Sequence, residues 1–502
     1  MKNIFKKNKE LLSLLLILFI SSLLLIIIRS HSYGEPVEFN SAEYSLVANE
    51  ILKGKHLYSK ADINLPGHFP IIYYIYSIFI FLGGMNENTI TTIGIFFSII
   101  TLISIGILCY RSFNLRITAI TTFSFAIFSS DIFLYGNQPS IELVLNSFLA
   151  LSLLFLLDFI KIKNNWKLFI SSSLIVLSII TKPVTILFLI FLIMFIIFKK
   201  DNIKIKLLNL GIIFSSLILF ILAFCLLFFL FKIWDFDIFI KRTIGFSVNY
   251  AMNPFKRLPL FFVYLKYTKG TASLWLISFF YLIYKNIYKK EINSIIILSF
   301  FFCSLIGLTL PGTYLAYYYY LPFPYIIIGT GIFVNDFIEK ILKINIDKEF
   351  KTTIITLIIG VTFIPSLYFQ FNYYLLRNQN QISEIKYGNI FITIKEFSSY
   401  INSISKPEDK IFIWGQDAGI FFYSKRKPVD DYFYFYTFKD INKRNQQIIN
   451  LRKNLQVEKP ELIIIGRYYT PPELEVPFLK ELIEKEYSKI FENTQYNVYR
   501  KN

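Results

Sequence analysis

The chain contains few of the residues that form metal centres and disulfide bridges. It has only three cysteines and three histidines among its 502 residues. Cys109, Cys225 and Cys303 all lie within apolar runs, so we interpret them as small core residues rather than disulfide partners. The sequence has no cysteine–histidine cluster that would indicate zinc. A divalent metal is compatible with the sequence, but no motif indicates one.

The sequence also lacks charge over long stretches. Hydrophobic residues make up 55% of the chain, and its mean hydropathy is +0.52. A membrane-spanning helix needs about 20 mostly apolar residues, and only helices or closed barrels satisfy the backbone in lipid. The apolar runs between Leu11 and Phe369 are continuous rather than alternating, which favours helices. The sequence therefore predicts a polytopic α-helical membrane protein whose first run is a retained helix rather than a signal peptide.

Acidic residues are the minority among the charged residues. The chain has 34 Asp and Glu against 52 Lys and Arg, which gives a formal net charge of +18. In a membrane protein this excess is typical of cytoplasmic loops and of contact with anionic lipid head groups, so we expect no nucleic-acid partner. Placing the basic clusters in the cytoplasm predicts about eleven spans, with the N-terminus inside and the C-terminus outside. The predicted spans are residues 11–28, 89–109, 117–133, 141–160, 167–181, 184–198, 207–231, 271–285, 293–310, 319–336 and 352–369.

The apolar stretch Pro70–Gly84 does not fit this threading as a full crossing. If it crossed the membrane, Arg111 and Arg116 would face outward and every later basic cluster would be inverted. We therefore interpret it as a juxtamembrane or re-entrant helix on the outer side.

The composition changes after Phe369. The segments "KIFIW" and "ELIIIG" are typical of buried strands, and "FKDINKRNQQIINLRKNL" is typical of a solvated helix. We predict two domains. Residues 1–369 form the transmembrane domain with an outer loop at 29–88, and residues 370–502 form a small extracytoplasmic α/β domain. The turn "WGQDAG" in the second domain is too generic to indicate a nucleotide site.

The outer loop after the first span contains a predicted helix from Asn40 to Gly54. Apolar residues recur there at helical spacing and form one face; they are Tyr44, Val47, Ala48, Ile51 and Leu52. Asn40 and Glu43 also have the spacing of a capping box. Glu43 therefore has two interpretations: it caps its own helix within an interfacial anchor, or it is a general base.

A second acidic position follows in "YGNQPSIELVLNSF". Pro139 is expected to open a helix with Glu142 in its first turn, where the helix dipole favours a carboxylate. Glu142 lies at the same predicted membrane boundary as Glu43. Two carboxylates on separate elements at one interface can act as a general base and its support.

Several motifs together resemble the GT-C membrane glycosyltransferases, and among them the protein O-mannosyltransferase and aminoarabinose-transferase group. The first outer loop matches in "EYSLVANEILKGKHLY" and "HFPIIYYIY". The segment "GNQPSIELVLNSFLALSLLFL" resembles the group's second acidic motif, and "ITKPVTILFL" resembles its Lys-Pro motif. "PGTYLAYYYYLPFPYIIIG" resembles the late aromatic motif, and "IFIWGQDAGIFFYSKRKP" resembles the start of the tail domain. The resemblance covers most of the chain.

The resemblance implies an inverting glycosyltransferase with a GT-C fold in the cell membrane. Such an enzyme moves a sugar from a polyprenyl-phosphate donor to an acceptor glycan, lipid or protein on the outer face, without a nucleotide. The family's catalytic acid stands where this chain has Asn40. The resemblance therefore implies Glu43 or Glu38 as the base, with Glu142 as its support. If neither carboxylate substitutes for the missing acid, the chain is a non-catalytic membrane subunit.

Basic residues on the predicted outer side are candidates for binding the donor phosphate. Lys182 precedes Pro183 at the end of a predicted span, and Lys241 and Arg242 lie in an outer loop. An intramembrane lysine indicates function, although snorkelling to the interface explains it equally well. For Lys241 and Arg242 the alternative is a solvated loop. His68 also faces outward, where it contacts either the donor or acceptor or only the surface.

The alternative function is a transporter or flippase for a lipid-linked or polar substrate. Transporter folds commonly carry inverted repeats and paired broken helices near the substrate site. The sequence has no such repeat and no matching pair of interrupted apolar segments. Glycosyl transfer is therefore the favoured prediction.

Overall fold

The computed structural model describes residues 2–59, 67–245, 253–429, 441–467 and 476–502. These residues are mostly α-helical, with one small sheet near the C-terminus. The α-helices are α1 (Lys2–Ser30), α2 (Phe39–Leu52), α3 (Ile71–Gly83), α4 (Glu87–Ser112), α5 (Leu115–Phe128), α6 (Ile141–Ile162), α7 (Asn165–Thr181), α8 (Ile186–Phe198), α9 (Ile203–Cys225), α10 (Phe236–Ile240), α11 (Pro254–Tyr264), α12 (Ala272–Tyr288), α13 (Ile292–Thr309), α14 (Phe323–Lys343), α15 (Lys348–Tyr374), α16 (Gln379–Tyr387), α17 (Ile390–Ile404), α18 (Ala418–Ser424), α19 (Ile441–Glu458) and α20 (Pro477–Glu486). Shorter 3₁₀ or π-helical segments are Pro183–Thr185, Leu226–Leu230, Lys241–Gly245, Leu265–Thr271 and Ala316–Tyr320.

Apolar helices occupy the positions of all the predicted spans. Within the described residues, six helices are long and apolar enough to cross a membrane: Asn8–Ser30, Glu87–Ser112, Ile141–Ile162, Ile203–Leu230, Ile292–Thr309 and Lys348–Tyr374. Shorter apolar helices are Ile71–Gly83, Leu115–Phe128, Asn165–Thr181 and Pro183–Phe198. The membrane fold is therefore confirmed, whereas the count of eleven spans and their orientation stay predictions. The stretch Pro70–Gly84 is helical as expected.

Two of the predicted spans have different ends in the structure. The span predicted at 117–133 stops at Phe128, because Asp131 Oδ1 accepts the backbone N–H groups of Phe133 and Leu134, both at 2.9 Å, and turns the chain. The span predicted to begin at residue 319 begins at Phe323, after a 3₁₀ segment. Pro322 and Pro324 favour this later start, since proline is accommodated at the first turn of a helix but not inside it.

Small residues let the membrane helices approach closely. Gly106 of α4 lies so near α1 and α5 that an added Cβ would be 2.5 Å from Leu18 and 2.8 Å from Thr122. The hydroxyl of Ser21 also donates to Thr122, with an Oγ–Oγ1 distance of 3.0 Å. In membranes, helix packing depends on such small side chains and interhelical hydrogen bonds. They hold α1, α4 and α5 together beneath the site.

Arg29 lies at the end of α1 and is buried although it is charged. Its Nη1 donates to the carbonyl oxygen of Gly136 (2.7 Å), and its Nη2 donates to the carbonyl oxygen of Ser129 (2.8 Å) and the hydroxyl of Tyr320 (3.0 Å). The guanidinium therefore satisfies buried backbone acceptors in the loop between α5 and α6. That loop leads directly into the first turn of α6.

The C-terminal sheet has the strand order β2-β1-β3-β5-β4. Its strands are β1 (Lys410–Trp414), β2 (Lys427–Pro428), β3 (Leu462–Gly466), β4 (Tyr487–Glu492) and β5 (Tyr496–Lys501). Strand β1 is parallel to β2 and β3, whereas β5 is antiparallel to both β3 and β4. Alternate residues of β1 and β3 belong to two separate apolar clusters, so helices cover both faces.

The predicted α/β pattern of the tail is thus confirmed for its strands. The predicted helix from residue 438 begins at Ile441 among the described residues and extends to Glu458, while residues 438–440 lie outside them. The predicted domain boundary between residues 369 and 370 stays a prediction.

The basic residues Arg111 and Lys167 lie at the end of α6 that is remote from the cavity and the tail. Near the end of α6, Asp158 pairs with Arg111 and, at 3.5 Å, with Lys167. Glu142, at the start of the same helix, is about 24 Å away by the 1.5 Å rise per residue of an α-helix and lies on the tail side. One orientation can therefore place the clusters in the cytoplasm and the tail outside, as the positive-inside bias requires.

This arrangement predicts the accessibility of cysteines introduced at two exposed positions. Asn445 lies in the tail helix α19, and Asn345 lies in the basic loop between α14 and α15. In intact cells, we expect Asn445→Cys to react with a membrane-impermeant maleimide and Asn345→Cys to react only after permeabilisation. The wild-type chain gives the background from its own cysteines. The reverse labelling pattern would contradict the threading.

The burial of Arg29 predicts a large effect on stability. Arg29→Met leaves buried carbonyl groups without their donor, and we expect a loss of about 2–5 kcal/mol. Arg116→Met is the matched control, because Arg116 pairs with Glu339 at 3.8 Å with both side chains about half exposed; this change should cost no more than about 1 kcal/mol. Thermal unfolding of the purified variants in detergent measures both. Equal losses would show that Arg29 has no special structural role.

Candidate active site

A cavity of about 810 Å³ lies where the first loop, the membrane helices and the tail meet. Its walls come from α2, from the segment before α3, from the start of α6, from the end of α7 and from α16 and α17 of the tail. The lining residues whose side chains carry polar groups are Glu38, Asn40, Glu43, Tyr44, His68, Tyr135, Gln138, Ser140, Glu142, Thr181, Lys182, Tyr317, Tyr318, Lys386, Tyr387 and Gln416. The structure therefore brings five of the seven predicted site residues together.

The N-cap of α2 lies two residues before the position that the capping-box pattern predicts. Its N-cap is Glu38, whose Oε2 accepts the N–H of Asn40 (2.8 Å) and whose Oε1 accepts the N–H of Ser41 (2.6 Å). The predicted capping box of Asn40 and Glu43 is therefore wrong. The Glu38 carboxylate accepts the first N–H groups of the helix and so takes the capping role that the pattern assigned to Asn40. Burial raises the pKa of Glu38, and its hydrogen bonds lower that pKa in part.

The same helix is enclosed by protein rather than lying in the membrane interface. All side chains from Ser41 to Ala48 are buried, and α2 packs against both α3 and α18 of the tail. Leu52, predicted on the apolar face, is exposed. The expectation of a one-sided interfacial anchor is therefore wrong, because residues on the polar side of the pattern, such as Ser41 and Ser45, are buried as well.

Glu43 lies on the cavity side of α2. Its side chain is buried, and its Oε1 accepts the phenol O–H of Tyr73 at 3.3 Å. Asn40, one turn earlier, also lines the cavity, and its Nδ2 donates to the Tyr317 hydroxyl at 3.5 Å. Asn40 and the nearby Glu43 thus face the same cavity.

Glu142 and Lys182 form an ion pair in the wall of the same cavity. The helix α6 begins at Ile141, with the Ser140 hydroxyl accepting the N–H of Leu143 at 3.3 Å. Pro139 therefore precedes the cap rather than opening the helix, and Glu142 lies in the first turn as predicted. The other oxygen, Oε2, is buried and has no hydrogen-bond partner within the described part of the chain.

Lys182 is held at the cavity wall by its backbone and by two contacts. It adopts an extended conformation directly after α7, as expected for a residue before proline. Its ammonium nitrogen pairs with Glu142 and lies 3.8 Å from the ring centroid of Tyr318, in a cation–π contact. The side chain is one-fifth exposed, so the charge faces the cavity.

His68 borders the same cavity and packs against Tyr44, with ring centroids 5.2 Å apart. Burial, and then the nearby Lys182 ammonium, lowers the pKa of His68 to about 4. The imidazole is therefore neutral at neutral pH. It can donate or accept a hydrogen bond there, but it adds no positive charge.

Lys241 and Arg242 are not among the described residues that line the cavity. The side chain of Lys241 is exposed. The backbone of Arg242 contacts the segment before His68, since its carbonyl oxygen accepts the N–H of Gly67 at 3.2 Å. An added Cβ on Gly67 would be 2.8 Å from that oxygen. Binding of the donor by these two cations stays a prediction.

The tail contributes cavity residues that the sequence reasoning missed. Lys386 Nζ pairs with Glu35 Oε1 at 2.5 Å, and the Tyr387 hydroxyl donates to Gln138 Oε1 at 2.9 Å. Gln416 follows the end of β1 and also lines the cavity. In open α/β sheets, ligands bind beyond the carboxyl ends of the strands. The turn "WGQDAG", which contains Gln416 and follows β1, was therefore the sequence signal that could have indicated a contribution of the tail to the site. Among the described residues, no group of three or more His, Cys, Asp or Glu side chains is placed to hold a metal ion.

Comparisons with known proteins give matches in structure only. No protein-family model and no curated protein matches the sequence. ArnT from Cupriavidus metallidurans, solved with undecaprenyl phosphate, matches with a TM-score of 0.63 and 10% identity over 97% of both chains. The Archaeoglobus fulgidus oligosaccharyltransferase, solved with zinc and sulfate, matches with a TM-score of 0.56 and 13% identity over 97% of this chain and 73% of that one.

A further structure from Archaeoglobus fulgidus also matches this chain. The oligosaccharyltransferase AglB, solved with an inhibitory peptide and dolichol-phosphate, matches with a TM-score of 0.54 and 12% identity. The match covers 97% of this chain and 74% of AglB. ArnT and AglB are members of the GT-C superfamily. The resemblance predicted from the motifs is confirmed at the level of architecture, and the chain has the GT-C fold.

Proposed function

We propose that this protein is an inverting glycosyltransferase that moves a sugar from a polyprenyl-phosphate donor to an acceptor at the outer face of the cell membrane. The observation that carries the proposal is that a buried carboxylate, Glu43, and a partly exposed ammonium group, Lys182, line one cavity. Related folds have been solved with undecaprenyl phosphate, in ArnT, and with dolichol-phosphate, in AglB. Those lipids support the same class of donor here.

The donor lies along the wall that carries Lys182. The neighbouring lining residues are apolar: Pro183, Val184, Leu310, Pro311 and Leu315. An isoprenoid chain fits such a surface, and its phosphate then meets the Lys182 ammonium. Glu142 balances this charge and holds the ammonium in place when no phosphate is bound. A buried cation without a partner is costly, which explains why the acidic residue is needed.

Glu43 acts as the general base. Its carboxylate takes the proton from an acceptor hydroxyl, and the freed oxygen attacks the anomeric carbon. The bond from that carbon to the phosphate oxygen breaks, the configuration inverts, and polyprenyl phosphate leaves with its charge stabilised by Lys182. Glu38 is the less suitable base, because its carboxylate is occupied by the start of α2. The sugar is activated by its lipid phosphate, so no nucleotide takes part.

The acceptor approaches from the tail side of the cavity. Gln138, Tyr387 and Gln416 present polar groups there, which suit the hydroxyl of a glycan, lipid or protein. Inversion requires that the acceptor hydroxyl meet the anomeric carbon on the face opposite the phosphate, within reach of the Glu43 carboxylate that takes its proton.

The direct test uses the purified protein in lipid nanodiscs with a panel of polyprenyl-phosphate sugars and hydroxyl acceptors. We expect release of polyprenyl phosphate that depends on both substrates. A transporter or flippase would instead move the lipid-linked sugar across a vesicle membrane without releasing polyprenyl phosphate. That second result would contradict the proposal.

The base assignment predicts different effects for two neighbouring carboxylates. Glu43→Gln should lower the transfer rate by about 10²–10⁴ while melting stays nearly unchanged, because a general base typically contributes that much. Glu38→Gln is the matched control; it weakens the cap of α2 at a cost of about 0.5–2 kcal/mol and should keep transfer within about tenfold. Steady-state rates and melting curves measure both variants. A dead Glu38→Gln beside an active Glu43→Gln would reverse the assignment.

The donor assignment predicts an effect of removing the Lys182 charge. Lys182→Met alone leaves Glu142 buried without its partner and risks misfolding, so the double variant Glu142→Gln/Lys182→Met is included. We expect both to raise the KM for the donor by about 10–100-fold, the value of one hydrogen bond to a charged group. Lys200→Met, at an exposed position beyond α8, should leave that KM unchanged. If the folded double variant has an unaltered KM for the donor, Lys182 does not bind the donor phosphate and its role is structural.

A further inference from the structure

Tyr73 connects the predicted base to the rest of the site. It lies on α3 in the segment "PIIYYIY", and its side chain is buried although the helix belongs to the polar first loop. The hydroxyl accepts the backbone N–H of His68 at an N–O distance of 3.4 Å. It donates to Glu43 Oε1 at 3.3 Å. The Tyr73 hydroxyl thus links the backbone N–H of His68 to the Glu43 carboxylate through two hydrogen bonds.

The ring of Tyr73 is fixed by packing. It meets the ring of Tyr44 edge to face, with centroids 5.8 Å apart. Tyr44 follows Glu43 directly on α2 and also contacts His68. The ring therefore has little freedom to carry its hydroxyl away from the carboxylate.

We propose that Tyr73 is a positioning residue that aims the Glu43 carboxylate into the cavity and keeps it ionised. This inference rests on the proposed role of Glu43 as the base. Burial disfavours the charged form of a carboxylate, whereas a hydrogen bond to the charged form favours it. The phenol O–H supplies that bond, and the N–H of His68 strengthens it by polarising the hydroxyl.

Tyr76 provides a matched control on the same helix. It is also buried, and its ring also contacts Tyr44, with centroids 5.3 Å apart. Its hydroxyl, however, bonds to Ser41 Oγ (3.3 Å) and to the carbonyl oxygen of Pro139 (3.1 Å). Tyr73→Phe and Tyr76→Phe therefore each remove one buried phenol hydroxyl beside the same ring. Only the first removes a donor to Glu43.

The test is the pH dependence of transfer by the two variants. In Tyr73→Phe the acidic limb of the pH–rate profile should move up by about one unit, because the ionised carboxylate loses a donor. Transfer at a pH well above that limb should recover to within a few-fold of wild type. Tyr76→Phe should keep the wild-type midpoint. An unmoved limb in Tyr73→Phe, or equal shifts in both variants, would overturn the proposal.

A second measurement does not depend on turnover. Dicyclohexylcarbodiimide modifies protonated carboxyl groups in apolar surroundings, and mass spectrometry of the peptide that contains Glu43 gives the extent of modification against pH. We expect the midpoint of this titration to rise in Tyr73→Phe and to stay in Tyr76→Phe. If the midpoint for Glu43 rises in Tyr73→Phe but the wild-type protein has no transferase activity, the proposed function is rejected and the effect of Tyr73 on Glu43 is kept. If the Tyr73→Phe enzyme is active and the midpoint is unchanged, only the effect of Tyr73 on Glu43 is rejected.

Discussion

The hydrogen bonds that Glu38 accepts from Asn40 and Ser41 fix where α2 begins, and the geometry of the site depends on that start. Because Glu38 caps the helix, Glu43 is released from capping and faces the cavity instead. A capping box between Asn40 and Glu43 would have turned the carboxylate back onto its own backbone. Glu38 thus caps the helix, and Glu43, further along α2, lines the cavity.

Charge is placed in this cavity only with compensation. Glu142 pairs with Lys182 at the donor wall, and Lys386 pairs with Glu35 under the tail. Glu43 accepts a hydrogen bond from the Tyr73 phenol. Such pairing is needed because an uncompensated charge in a water-poor space is costly. The same low polarity strengthens the interaction between Lys182 and an arriving phosphate.

The membrane helices and the strands of the tail could be predicted from the sequence, because each depends on a continuous local pattern. The apolar runs marked the helices, and "KIFIW" and "ELIIIG" marked two strands. The enclosure of α2 could not be predicted, since it depends on contacts between distant parts of the chain. Lys386 and Glu35 are 351 residues apart in sequence. The helical period of α2 shows which face is apolar, but not that α3 and the tail helix α18 also bury its polar residues.

The account is tested most directly by the structure of this protein in nanodiscs with polyprenyl phosphate bound. It predicts that the phosphate lies within hydrogen-bonding distance of Lys182 Nζ, beside Glu142 and Tyr318, with the isoprenoid chain against Leu310 and Leu315. The Glu43 carboxylate should then face the side of the phosphate that opens into the cavity. A phosphate bound away from the cavity would contradict the central claim.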